Sequence, residues 1–249
     1  MNTTIKALHE RTSVRVFEEK EIYLEDKKAI LDAAIQAPTA GNQMMYTILN
    51  ISDVALLQTL AKSCDDQMFI ASAKFALVFV ADYQKWMDVF SMVESSPRQP
   101  DVGELLLGCN DALIAAQNAV VAAQSLGIGS CYIGDIMEHH DTHKALLKLP
   151  QYCFPVTMLV FGYPTEQQQN RKKPVRFDRK YIVHENTYHR MSNEELKAMF
   201  VARASLQEEV SFDFEKWIHA FYQRKFNSNF AKEMSASVQK YIDDFKTSQ

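Results

Sequence analysis

"GCNDALIAAQNAVVAAQSLGIGS", residues 108–130, decides the fold. Ala, Leu, Val and Ile fall on nearly every face of the helix it encodes, and Gly127 supplies the stop. A helix this apolar leaves no face for water, so it is central and other layers must cover it. Apolar runs of strand length lie on both sides. "MMYTILNIS" (44–52) and "AKFALVFVAD" (73–82) precede it, and "SCYIGDI" (130–136) and "FPVTMLVFGYP" (154–164) follow, with β-branched and aromatic content throughout. Ahead of them all, "IYLEDKKAILDAAIQAPTAGN" (22–42) reads as an acidic-started amphipathic helix that ends before Pro38 and runs into a small-residue turn. Further helices are expected from about Ala55 to Ser63 and from about Ile136 to Leu149. Helices interspersed with buried strands predict a layered α/β or α+β sheet.

The 249 residues carry 27 Lys and Arg against 31 Asp and Glu, a net charge of -4. With a pI near 6.0 and no basic run, the chain lacks the electrostatic footprint of a nucleic-acid binder. The N-terminal stretch has no apolar core of signal-peptide length, and no run of about 18 apolar residues spans a bilayer, so no membrane partner and a cytoplasmic protein are expected. Cys64, Cys109, Cys131 and Cys153 are widely spaced without a C-x-x-C pair and read as buried free thiols.

From Val175 onward the chain contains neither Gly nor Pro. "VRFDRKYIVHENTYHR" (175–190) is too polar for a central strand and reads as an extended arm. Ser192 and Glu195 form a capping box at the head of a helix, and "FDFEKWIHAFYQRKF" (212–226) and "SASVQKYIDDF" (235–245) read as two more. Such a tail must pack on the core or on another subunit. The expected division is a core with its arm over 1–190 and a helical extension over 191–249. "VESSPRQPDVGE" (93–104) reads as a flap.

"RTSVRVF" (11–17) raises the functional question. In an extended chain Arg11, Ser13 and Arg15 share one side while Thr12, Val14 and Val16 pack on the other, a donor surface suited to an anion. "RKKPVRF" (171–177) adds Lys173 and Arg176 beyond a buried strand. Arginine forks match phosphate oxygens and lysine adds a point charge. For an isolated arginine pair, plain surface charge is the commoner explanation; the second basic group shifts the balance. Neither G-x-x-x-x-G-K-[ST] nor G-x-G-x-x-G is present, so side chains must hold any phosphate.

"RTSVRVF", "APTAGN", the Ala-rich helix ending "AQSLGIGSCYIG", and "KKPVRFDRKYIVHEN", in that order and spacing, closely resemble the nitroreductase family of FMN-dependent NAD(P)H oxidoreductases. The resemblance covers most of the chain, and the tail looks like the extension of the longer flavin-reductase-like branch. It implies a three-layer α+β fold with a central mixed, mainly antiparallel sheet flanked by helices, in a domain-swapped homodimer whose extension packs on the dimer. By this resemblance Arg11, Thr12, Ser13 and Arg15 hold the FMN phosphate and the polar edge of the ring. Thr39, Ala40, Gly41 and Asn42 cover the flavin from the partner subunit, and Gln67 bonds the ribityl chain or ring edge. Ile133 and Gly134 present the strand end near flavin N5, and Lys173 and Arg176 complete the phosphate site, with Lys172 an alternative to Lys173 because of the extra residue in "KPVR".

The implied activity is ping-pong hydride transfer from NAD(P)H through bound FMN to nitroaromatic, quinone or flavin acceptors, with no catalytic acid, base or nucleophile of the protein's own. Arg15 beside the N1–O2 edge would stabilise the reduced flavin. Arg224 and Lys225 are candidates for a 2′-phosphate clamp. A flavin-binding redox sensor or phosphate-ligand module with little turnover is the alternative. His139 and His143 have the four-residue spacing of metal ligands, but without a third ligand they read as a solvated helix face and no metal is expected. Cys131 reads as inert for want of a cationic neighbour. Met44, Met45 and Met68 read as an adaptable wall or as core filling.

Overall fold

The computed structural model describes residues 1–207 and 211–246. The chain runs α1 (Thr3–Glu10), α2 (Leu24–Ile35), β1 (Tyr46–Asn50), α3 (Val54–Ser63), β2 (Phe75–Asp82), α4 (Gln84–Phe90), α5 (Val102–Ser125), β3 (Gly129–Ile133), α6 (His140–Leu146), β4 (Cys153–Gly162), α7 (Glu166–Gln169), α8 (Asn193–Leu206), α9 (Phe214–Lys225) and α10 (Asn229–Phe245). The strands form one sheet in the order β1-β2-β4-β3, and each neighbouring pair is antiparallel.

Every residue of β2 and β4 is buried, because both faces of the sheet are covered. Leu77, Phe79, Leu159 and Phe161 point into the layer that holds α2 and α5, while Ala76, Val78, Met158 and Val160 point to the opposite face, against Leu57, Leu60 and Ala61 of α3. This is the three-layer α+β architecture expected. The central helix begins earlier than its most apolar stretch. Asp101 caps it, and Glu104 reaches back to the Asp101 amide, so the end of the expected flap is the first turn of α5. Tyr152 donates a hydrogen bond to Gln99 within that segment.

The helix expected over 136–149 is divided. A 3-10 turn at Asp135–Met137 is followed by His139 with φ 51°, and α6 starts only at His140. α1 and α4 are additional to the expected helices; both are short, and α1 buries no residue. α10 starts at Asn229, ahead of the helix read over 235–245. The segment 175–190 is irregular, with a 3-10 turn at Arg179–Tyr181.

Contacts divide the chain into two compact units, Met1–Arg171 with Glu233–Gln249, and Lys172–Lys232. These bounds differ from 1–190 and 191–249 at both ends: residues 172–190 group with the helices that follow them, and the last helix returns to the core. Tyr241 and Phe245 are fully buried there, Tyr241 packs edge-on against Phe154 and His140, and Asp244 meets both His140 and Lys144. The second unit is organised around aromatic rings. Arg203 lies over Phe177, Phe200 and Trp217 at 4.3, 5.0 and 5.2 Å, and Trp217 stacks on Phe221. The expected capping box of Ser192 and Glu195 opens α8.

Residues 11–17 lie along the β3 edge. Val14 N donates to Ser130 O at 3.0 Å, Ser13 bridges Ser130 in parallel, and Glu18 N donates to Tyr163 O at 2.8 Å. The segment comes so close that a β-carbon on Gly129 would sit 2.6 Å from Val14 Cγ2, and one on Gly162 would sit 2.6 Å from the Phe17 ring. Val14 is β-branched and cannot swing aside easily. Gly129→Ala is therefore expected to cost about 1–3 kcal/mol in urea unfolding; an unchanged midpoint and slope would show that the segment is not seated there.

Candidate functional site

The seating of 11–17 sets out the basic side chains. Arg11 closes α1, its amide donating to Ala7 O at 2.9 Å, and the Arg15 amide donates to Gln168 Oε1 at 3.1 Å. Arg11, Thr12 and Ser13 are half-buried and Arg15 is exposed. The strict alternation expected of this stretch ends at Val14: Val16 is 47% exposed, and Phe17 enters the core instead. The twist follows from the two anchoring glycines, which accept Val14 and Phe17 three positions apart rather than two.

Arg11, Ser13 and Arg15 meet at Cys131 on β3. Burial pushes this thiol up, and Arg15, Arg11 and the Ser13 hydroxyl pull it down by less. The expectation that Cys131 lacks a cationic neighbour is thus corrected, although burial still keeps the thiol protonated. Among the described residues neither Arg11 nor Arg15 is paired with a carboxylate. Arg15 Cζ lies 6.0 Å from the Phe69 ring centre.

The small-residue turn is held by a charge inside the apolar helix. Asp111 of α5 is 2% exposed, and its two oxygens accept from Ala40 N at 3.0 Å and Met45 N at 3.1 Å. Met44 N donates to Thr39 Oγ1 at 3.2 Å, and Trp86 Nε1 donates to Gln43 O at 3.0 Å. Gly41, Asn42 and Met44 have φ of 58°, 56° and 50°, left-handed conformations on either side of a right-handed Gln43, and they depend on these anchors. Gly41 is exposed and Thr39 is not capping any helix by its side chain, so the turn presents backbone and small side chains outward.

Gln67 lies on the loop after α3, with its amide nitrogen donating to Cys64 O at 2.9 Å. Ile133 ends β3 in the core, and Gly134 starts the 3-10 turn. Lys172, Lys173 and Arg176 belong to the second unit. There Arg176 lines a cavity of about 290 Å³ with Asp178, Lys180, Tyr181 and Arg203. Arg224 and Lys225 are exposed at the end of α9.

The histidines differ from the solvated face expected. His139 precedes α6, and His143 is fully buried, bonded to Ser63 at 2.8 Å and to Ile136 O at 2.9 Å. Met45 is core filling and Met68 is exposed. Asp111 and Gln168 were missed. The available signal for Asp111 was a carboxylate inside an otherwise apolar helix, which must find donors if buried. Gln168 left no comparable trace.

The model of the nitroreductase family matches residues 8–163, well over half of the chain. The chain belongs to the nitroreductase family. It is 30% identical over 212 residues to the oxygen-insensitive NADPH nitroreductase of Salmonella typhimurium, covering 82% of this chain and 85% of that protein. It is 26% identical over 245 residues to the FMN reductase [NAD(P)H] of Bacillus subtilis, covering 98% and 92%. In fold it is similar to NfrA2 of B. megaterium, with a TM-score of 0.84, 24% identity and 100% coverage of both chains. The nitroreductase fold thus places α5, the Thr39–Asn42 turn and the β3 edge in one scaffold.

Asp111→Ala removes the acceptor of two backbone amides in the interior. It is expected to destabilise the protein by about 2–4 kcal/mol in denaturant unfolding, and Asp111→Asn, which keeps one acceptor, by less. Equal, small losses in both variants would contradict the anchoring role.

Proposed function

We propose that this chain is an FMN-dependent NAD(P)H oxidoreductase that reduces nitroaromatic, quinone or flavin acceptors. The observation that carries the reading is that Arg11, Ser13 and Arg15 all act on Cys131 at the β3 edge, with neither guanidinium paired with a carboxylate among the described residues. Two unanswered cations and a hydroxyl are a donor set for a phosphate monoester. The names of the nitroreductase and FMN reductase relatives support the same cofactor and co-substrate.

In this reading Arg11, Thr12 and Ser13 bind the FMN phosphate, together with Lys173 and Arg176, and Lys172 is the alternative to Lys173. Arg15, the most exposed of the three, offers positive charge to the electron-rich edge of the reduced ring. FMN, when bound, would supply the redox chemistry between nicotinamide and the second substrate. The Ile133–Gly134 strand end supports the ring through backbone, and Gln67 bonds its polar periphery. No residue of the chain has to act as nucleophile, acid or base.

A homodimer belongs to the same reading. Leu106, Leu107, Leu113 and Ile114 of α5 are 59%, 46%, 43% and 41% exposed, an apolar stripe on a core helix that a second copy would cover. Thr39, Ala40, Gly41 and Asn42 would then face the partner's flavin, and the extension over 191–249 would pack on the dimer. α5 alone among the described helices is long and apolar enough to cross a membrane, and it lies against the sheet. We place the protein in the cytoplasm.

The purified protein should show a flavin absorption spectrum that NADPH bleaches without oxygen and menadione restores. A chain that is colourless and cannot be loaded with FMN would overturn cofactor and reaction together. Arg11→Ala should weaken FMN binding by about tenfold or more, the worth of one charge-assisted hydrogen bond. Arg15→Ala should in addition lower the flavin potential, and Arg176→Ala should cost more affinity than Arg171→Ala. Full FMN retention by both Arg11→Ala and Arg15→Ala would remove the phosphate assignment.

A further inference from the structure

The inference concerns Glu138 and rests on the flavin reading above. The turn that carries Gly134 is tightly built. Met137 N donates to Gly134 O and Glu138 N to Asp135 O, both at 3.0 Å. Ser237 on α10 donates to Met137 O at 2.7 Å. The Ile136 carbonyl accepts from His143 Nδ1, which leaves Nε2 to accept from Ser63. Glu138, at the end of this turn, is 3% exposed, yet its Oε1 has no hydrogen-bond partner among the described residues. A buried carboxylate oxygen without a donor is costly.

The charged groups around it carry its own sign. Asp135 faces it from the turn, Asp65 from the loop after α3, and Glu233 from α10. The other titratable neighbours are neutral: burial holds His143 on α6 below the usual imidazole range, and burial, then Asp135 and Glu138, push Cys64 at the end of α3 up to about 12. Among the described residues no three His, Cys, Asp or Glu side chains gather as a metal site requires. A proton is the remaining neutraliser. Burial first, then Asp135, Asp65 and Glu233, raise the Glu138 carboxyl to about 7.

Glu138 thus sits where three elements meet. The turn follows directly from Ile133 and Gly134. The loop carries Gln67 and Phe69, and the Phe69 ring lies beside Arg15. The junction is held by contacts rather than by easy backbone geometry, since Asp65, Asp66 and His139 all have left-handed φ, at 61°, 50° and 51°.

We propose that Glu138 is a positioning residue for the flavin site: neutral, its carboxyl lets the turn, the loop and α10 close together, and ionised, it drives them apart and weakens FMN binding. The sign follows directly. The closed junction keeps a proton that an opened one, with Glu138 in water, releases near the ordinary carboxylate value, so the contribution to FMN binding is fully present at low pH and is lost as the pH rises through about 7.

The test is FMN affinity, read by quenching of FMN fluorescence at about pH 6.5 and about pH 8.5, in the wild-type protein and in Glu138→Gln. The wild type should lose up to about fourfold in affinity across that interval and Glu138→Gln less than about twofold, and since both see the same titration of the FMN phosphate, the difference isolates Glu138. Asp65→Asn and Glu233→Gln, at exposed positions, should move the midpoint of the loss to lower pH, and they carry the test if Glu138→Gln fails to fold. An equal loss in wild type and Glu138→Gln, a midpoint unmoved by Asp65→Asn and Glu233→Gln, or FMN binding by the wild type that does not weaken with pH would overturn the proposal and leave the flavin reading intact. No FMN binding at either pH would overturn both.

Discussion

Val14 and Phe17 occupy the space that β-carbons at Gly129 and Gly162 would take, and this pair of close approaches fixes the chain between α1 and α2 onto the β3 edge. The rest of the candidate site depends on it. With Val14 and Phe17 turned inward, Arg11, Ser13 and Arg15 are left around Cys131, and Gln168 holds the Arg15 amide so that the guanidinium leaves from a fixed point. Both arginines bear on the same thiol, so a bound phosphate would meet positive charge that the fold has already assembled.

A second constraint acts from the middle of the molecule. α5 approaches the first two strands so closely that a β-carbon on Gly108 would sit 3.1 Å from Met45 O. That approach lets Asp111 reach across and bind the amides of Ala40 and Met45. A buried carboxylate in an apolar helix is tolerated because backbone donors answer it, and the same donors hold a turn of left-handed residues that would not persist alone. At the far end, Asp244 between His140 and Lys144, with Tyr241 and Phe245 in the core, ties the last helix to α6 and β4. Core and site therefore share their buried polar groups.

The layers were legible because their signals are periodic and apolar. The helix around Gly108–Ser125, the four strands and the cap at Ser192 need little beyond hydrophobic pattern and capping chemistry. The helix at 3–10 is short and buries no residue, and the helix at 84–90 starts from a tertiary contact, the Tyr83 amide donating to Tyr152 O. The continuous helix expected over 136–149 failed at His139, where the chain takes a left-handed residue that no Gly or Pro announces. At the site, the basic residues were legible as residues and the motif order as a resemblance. The inward turn of Phe17, the cations around Cys131 and the roles of Asp111, Gln168 and Glu138 arise from contacts between segments far apart in sequence, and single-segment spacing carries no record of them.

Residues 11–17, seated on Gly129 and Gly162, are proposed to cradle the FMN phosphate. An experimental structure of the protein with FMN bound tests it most directly. The account predicts the phosphate within hydrogen-bond reach of Arg11 and Ser13, with the polar ring edge toward Arg15 and the ring against the Ile133–Gly134 strand end. A phosphate bound elsewhere, with Arg11 and Arg15 turned to solvent, would contradict it.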